Sequence, residues 1–118
     1  MITLNGKDLD FSFSLTNADT MERYENAQEA LSTDEKDAET ATGKASEQIR
    51  RHCQNIFKFF DAIFGDGAAK LIFGDEVDFS TCFDVLEELY VYADKQSAAR
   101  EAKYSKYQPN RAERRKQK

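Results

Sequence analysis

Between Ile49 and Ala93 the large apolar residues recur at helical spacing twice over, and this fixes most of what the chain can become. Ile49, Cys53, Ile56, Phe60, Ile63 and Phe64 follow i, i+4, i+7, i+11, i+14 and i+15, one face of a helix. Phe57 and Phe59 widen that face. Phe79, Cys82, Phe83, Leu86, Leu89, Tyr90 and Ala93 follow i, i+3, i+4, i+7, i+10, i+11 and i+14, which predicts a second amphipathic helix. Asp84, Glu87, Glu88 and Asp94 are expected to face water, and Asp78 to cap the start. Between the two, Gly65 ends the first run, and Asp66 to Gly74 predicts a short helix capped by Asp66. Two stripes of this kind bury each other, so the expected core centre is Ile56, Phe60, Phe64, Leu71, Phe79, Phe83, Leu86 and Leu89.

The N-terminus follows a different period. Ile2 and Leu4 precede Asn5-Gly6, the dipeptide that best accepts the positive φ of a tight hairpin. Leu9, Phe11, Phe13 and Leu15 then alternate with Asp10, Ser12 and Ser14, a period of two. This predicts a hairpin over residues 1–15. A lone hairpin is marginal in water, so its apolar face lies on the helices or on a strand of another copy, a route to a homo-oligomer. A helix is expected from Thr16 or Asn17, with a thin stripe of Met21, Tyr24, Gln28 and Leu31 and weak packing. Residues 32–46 hold no large apolar side chain and read either as a solvated helix around 34–40 or as a mobile linker.

The expected fold class is therefore mainly α: an N-terminal β-hairpin followed by three to four helices around one small core. At 118 residues the chain suits a single domain, drawn here over 1–102. Residues 103–118 carry seven basic residues and one acid, net +6, against −11 for the remainder. With Pro109 among them they read as a flexible tail, disordered until bound. Tyr104, Lys106, Tyr107, Arg111, Arg114 and Arg115 interleave rings and cations, a pattern that suits stacking on single-stranded nucleic acid. The acidic body would repel phosphates, which favours a solvated or protein-binding tail and leaves nucleic acid as the alternative partner.

Motifs of catalysis and ligation fare poorly. His52 and Cys53 are neighbours, and adjacent helical positions point about 100° apart, so they make no nucleophile–base pair. Thr42-Gly43-Lys44 ends like a phosphate loop, but Ala38 stands where the first glycine belongs and Ala45 where a hydroxyl belongs. Gly65-Asp66-Gly67 follows a helix and not a strand, so it lacks the context of a dinucleotide site. A calcium loop from Asp75 fails at Ser80 and Leu86. Cys53 and Cys82 read as small buried hydrophobes, with a disulfide or half a metal site as the other reading; no CxxC spacing supports zinc. No catalytic, cofactor-binding or metal residues are expected. No run approaches the roughly 20 apolar residues of a membrane span, and the N-terminus lacks the features of a signal peptide. A reducing, cytoplasmic setting follows as the expectation.

One stretch carries a resemblance. Phe57-Lys-Phe-Phe-Asp-Ala-Ile-Phe-Gly-Asp-Gly-Ala-Ala-Lys-Leu-Ile-Phe-Gly-Asp75 repeats Phe-Gly around a short Ala-rich helix, and Asp78-Phe79 then opens a Phe/Leu-rich helix. This resembles the tail assembly chaperones of siphophages and Gram-positive prophages, best over residues 57–90 and loosely over 1–95. The resemblance implies a cytoplasmic protein of the bacterial host that coats the tape-measure protein before the tail tube polymerises. It also implies a longer frameshifted form in which the basic tail lies near the junction. No catalytic residues come with it. Phe57, Phe59 and Phe73 fall off the main apolar stripe. They either fill the core or contact the client, and on the second reading they are the candidate protein-binding residues.

Overall fold

The computed structural model describes residues 2–106. A hairpin of β1 (Ile2–Leu4) and β2 (Lys7–Leu9) leads through an extended segment into α1 (Ala18–Thr40), α2 (Ala45–Phe64), the short α3 (Ala68–Phe73) and α4 (Phe79–Lys106). The fold class is the expected one, mainly helical behind an N-terminal hairpin. Asn5 and Gly6 sit at φ 56° and 72°, and the strands pair Ile2 with Leu9, Thr3 with Asp8 and Leu4 with Lys7. Positive φ at both turn residues matches the twist of the flanking strands. The strands are short, yet the alternation continues past them, with Phe13 and Leu15 buried and Ser12 and Ser14 exposed.

Two caps follow the sequence and one does not. The Asn17 side chain accepts from the Thr20 N–H at 3.1 Å, and Asp78 accepts from the Thr81 N–H at 3.2 Å. At α3 the cap position belongs to Gly67 at φ 90°, with no side-chain bond. Asp61, one turn before the end of α2, supplies the acceptor that Asp66 was expected to give, taking the Ala69 N–H at 2.8 Å. Gly65 closes α2 at φ 108°.

α1 packs more extensively than its thin stripe predicts. It runs antiparallel to α2, with Tyr24 against Phe59 and Glu35 against His52. Small residues, Ala27 and Ala38, are buried on it as well as Leu31, so close backbone approach replaces large side chains. The polar stretch after Ser32 therefore continues the helix to Thr40. α4 runs parallel to α2, with Phe79 against His52 and Tyr90 against Phe59. It does not fade near Ala99 but stays helical through Lys106, so residues 103–106, assigned to the flexible tail, belong to the helix. From Ala98 onward its residues are exposed.

The core centre also differs in three places. Ile56, Phe60, Leu86 and Leu89 are buried and Phe64 packs partly buried against them. Leu71, Phe79 and Phe83 are exposed. In α3 the inward positions are Ala68, Ala69, Ile72 and Phe73, which leaves Leu71 on the opposite side. In α4 the buried face is Cys82, Val85, Leu86, Leu89 and Ala93, and the two phenylalanines flank it.

The hairpin is held on α4 by polar side chains spaced i, i+4 and i+8. Glu88 accepts from the Asn5 N–H, with 3.3 Å to the nearer oxygen. The Tyr92 hydroxyl accepts from the Thr3 N–H at 3.1 Å. The Gln96 amide accepts from the Leu15 N–H at 2.8 Å and donates to the Phe13 carbonyl. Glu88 thus faces the hairpin and not bulk water. On the far side of the turn, the Asn5 side chain donates to the Ile72 carbonyl at 2.9 Å.

Cys53 and Cys82 meet as free thiols at the α2–α4 contact, both fully buried. Burial first, and then the neighbouring Cys53, push the Cys82 thiol up to about 12. Burial likewise raises Cys53. Two outcomes follow. Gln96→Ala leaves buried backbone groups at Phe13 and Leu15 without partners and should lower stability by about 1–3 kcal/mol in urea titration, against little change for the exposed Lys95→Ala. The folded state also holds the Cys82 proton more tightly than the unfolded chain, whose ordinary value is 9.0. The contribution of Cys82 should then be level below pH 9 and be lost as pH rises from 9 toward 12, and Cys82→Ala should make that fall shallower, leaving the part due to Cys53.

Candidate functional site

Of the three phenylalanines that the sequence offers for partner contact, two are taken by the core. Phe59 is 2 % exposed and packs edge-on against Phe60, with Tyr24 and Tyr90 beyond. Phe73 is 4 % exposed and lies between Phe57 and Phe60, centroids 5.0 and 5.7 Å away. Neither ring is presented to a partner. Both were off the stripe because the core here wraps around α2: α1 covers one flank of the helix and α3 another. Phe57 is half-buried. It lines a shallow surface depression of about 460 Å³ with Gln54, Lys58, Asp61, Ala62 and Asp66.

The exposed rings lie elsewhere, at the end of the bundle where α4 begins. Phe79 is 36 % and Phe83 47 % exposed, and Ile49 on α2 is 43 % exposed. The two phenylalanines meet edge to face, centroids 5.3 Å apart, and Phe79 also lies 5.3 Å from the His52 ring. His52 is in turn fixed by Glu35 of α1, Nδ1 to Oε2 2.5 Å. Three helices therefore meet at an aromatic ledge. The capping Asp78 and, on α4, Asp84 and Glu87 are exposed.

Sequence reasoning placed Phe79 and Phe83 in the core because they keep helical spacing with Leu86 and Tyr90. They lie at the margin of the buried face of α4, which is Cys82, Val85, Leu86, Leu89 and Ala93. His52 and Cys53 are turned apart, the first to Glu35 and Phe79, the second to Cys82. Among the described residues, no group of three or more His, Cys, Asp or Glu side chains is placed to hold a metal ion. No described helix is long and apolar enough to cross a membrane.

Of the residues assigned to tail contacts, Tyr104 and Lys106 stand exposed on the last turns of α4. Tyr104 shares a recess with Arg100 and Glu101. Tyr107, Arg111, Arg114 and Arg115 lie outside the described residues.

No curated protein and no solved structure matches the chain. A protein-family model does, over residues 5–118, and its span takes in the hairpin turn, all four helices and the basic C-terminus. The chain belongs to that family, DUF6673, a family of unknown function.

Proposed function

We propose that this protein is a phage or prophage tail assembly chaperone that holds the tape-measure protein during tail morphogenesis, acting by binding and not by catalysis. The observation that carries the reading is the ledge of Phe79 and Phe83, exposed rings in edge-to-face contact, on a body of net charge −11. Single exposed apolar residues are ordinary, but two rings held together and backed by His52 make a contact surface. The Phe-Gly pattern over residues 57–75 supplies the resemblance to the chaperones.

The magnitudes suit a weak, repeated grip. Fully burying a phenylalanine stabilises by about 1.5–3 kcal/mol, so covering the exposed part of each ring contributes about 1 kcal/mol. One such contact cannot hold a client. Many copies along one long helical client gain through effective concentration, and each remains easy to displace when the tube assembles. The acidic surface keeps a crowded complex soluble.

The client is the tape-measure protein of the same tail gene cluster. Co-expression with it should yield a complex on affinity capture. Phe79→Ser with Phe83→Ser should lower capture about tenfold while the thermal midpoint moves by only a few degrees, since both rings are already half in water. Capture unchanged in the double variant removes the ledge from the proposal. Salt-sensitive DNA or RNA binding that disappears with residues 103–118, with no capture of the tape-measure protein, overturns it in favour of the nucleic-acid reading.

A further inference from the structure

The hairpin has two edges, and they are treated differently. In an antiparallel pair closed by a two-residue turn, Leu4 with Lys7 and Ile2 with Leu9 exchange backbone bonds, while Thr3 and Asp8 point their groups outward. On the β1 side the Thr3 N–H is satisfied by the Tyr92 hydroxyl. Farther along, Gln96 takes the place of a strand partner at Phe13 and Leu15. On the β2 side none of the described residues bonds the backbone of Asp8, Asp10 or Ser12. Alternation persists through this stretch, with Leu9 and Phe11 half-buried and Asp8, Asp10 and Ser12 exposed. The result is an unpaired strand edge with an apolar inner side, on which Phe11 stacks against Phe64 at 4.7 Å.

We propose that this edge, from Asp8 to Ser12, is a strand-addition site for a cationic extended segment of another protein. Backbone groups at every second residue supply the bonds, and the half-buried Leu9, Phe11 and Phe64 supply apolar rim for every second side chain of the incoming strand. Charge selects the occupant. Cross-strand neighbours of opposite charge stabilise a sheet and like charges directly opposite destabilise it. A second copy of the same strand, paired about Asp8, Leu9 or Asp10, sets aspartate against aspartate. A strand with Lys or Arg at alternate positions sets a cation against each. The two carboxylates that discourage self-pairing thereby admit a basic partner.

The probe is an eight-residue peptide of alternating lysine and valine, added to the full chain and followed by amide NMR and hydrogen exchange. It should shift the Asp8, Asp10 and Ser12 amides and slow their exchange. Asp8→Lys with Asp10→Lys should weaken that binding at least tenfold and confer binding of the alternating glutamate–valine peptide at the same amides. Phe79→Ser with Phe83→Ser should leave it unchanged, which keeps this site separate from the ledge. Shifts spread over the acidic helices without protection of the three amides overturn the proposal. So does concentration-dependent self-association that protects them without peptide.

Discussion

The aromatic core converges on one ring that is kept from water. Phe60 is fully buried, and it touches Phe59, Phe64 and Phe73 with centroids 5.4 to 6.3 Å away. Each of those rings passes the contact outward. Phe64 meets Phe11 and Phe13 from the N-terminal segment. Phe59 meets Tyr24 of α1 and Tyr90 of α4, whose hydroxyls both bond Gln28. Phe73 brings α3. A chain with no tryptophan builds its core as a network of smaller rings, and edge-to-face geometry lets each ring serve two neighbours.

How far the sequence reveals this depends on the kind of contact. Phe60, Ile56, Cys53 and Ile63 could be read because a regular apolar stripe on a long helix has one physical solution. Asn5-Gly6 could be read because few dipeptides accept positive φ twice. The length of α1 was left open between a solvated helix around 34–40 and a linker, because its buried positions include Ala27 and Ala38 and small residues carry no periodic signal. Glu88, Tyr92 and Gln96 were hidden because polar residues at i, i+4 and i+8 look like a solvated face. Only the docked hairpin shows that they satisfy backbone groups. The candidate site fared worst. The rings expected outside went into the core because α2 is covered on several sides, and those expected inside, Phe79 and Phe83, flank the face of α4 that Cys82, Val85, Leu86 and Leu89 bury.

The two ends of the bundle consequently differ in character. Around Phe60, rings and backbone bonds close on one another and leave shallow surface. At the start of α4, Phe79 and Phe83 lean on each other and on His52, with solvent on the remaining side. On the proposed reading, the contacts from Glu35 to His52 to Phe79 set the geometry before a partner arrives, so little of its grip is lost to ordering the surface.

The attachment of the first strands to the last helix has a consequence for synthesis. Thr3 and Tyr92 lie 89 positions apart, and Leu15 and Gln96 81 apart. During translation the opening segment leaves the ribosome long before its support exists, a wait of about 4–16 s at bacterial to eukaryotic elongation rates. The helical pair α1–α2 can form in that interval. Phe13 can already meet Tyr24 and Phe64, but the backbone groups of Thr3, Phe13 and Leu15 lack their partners until Tyr92 and Gln96 emerge, so the nascent protein is most exposed to misassociation at its oldest end.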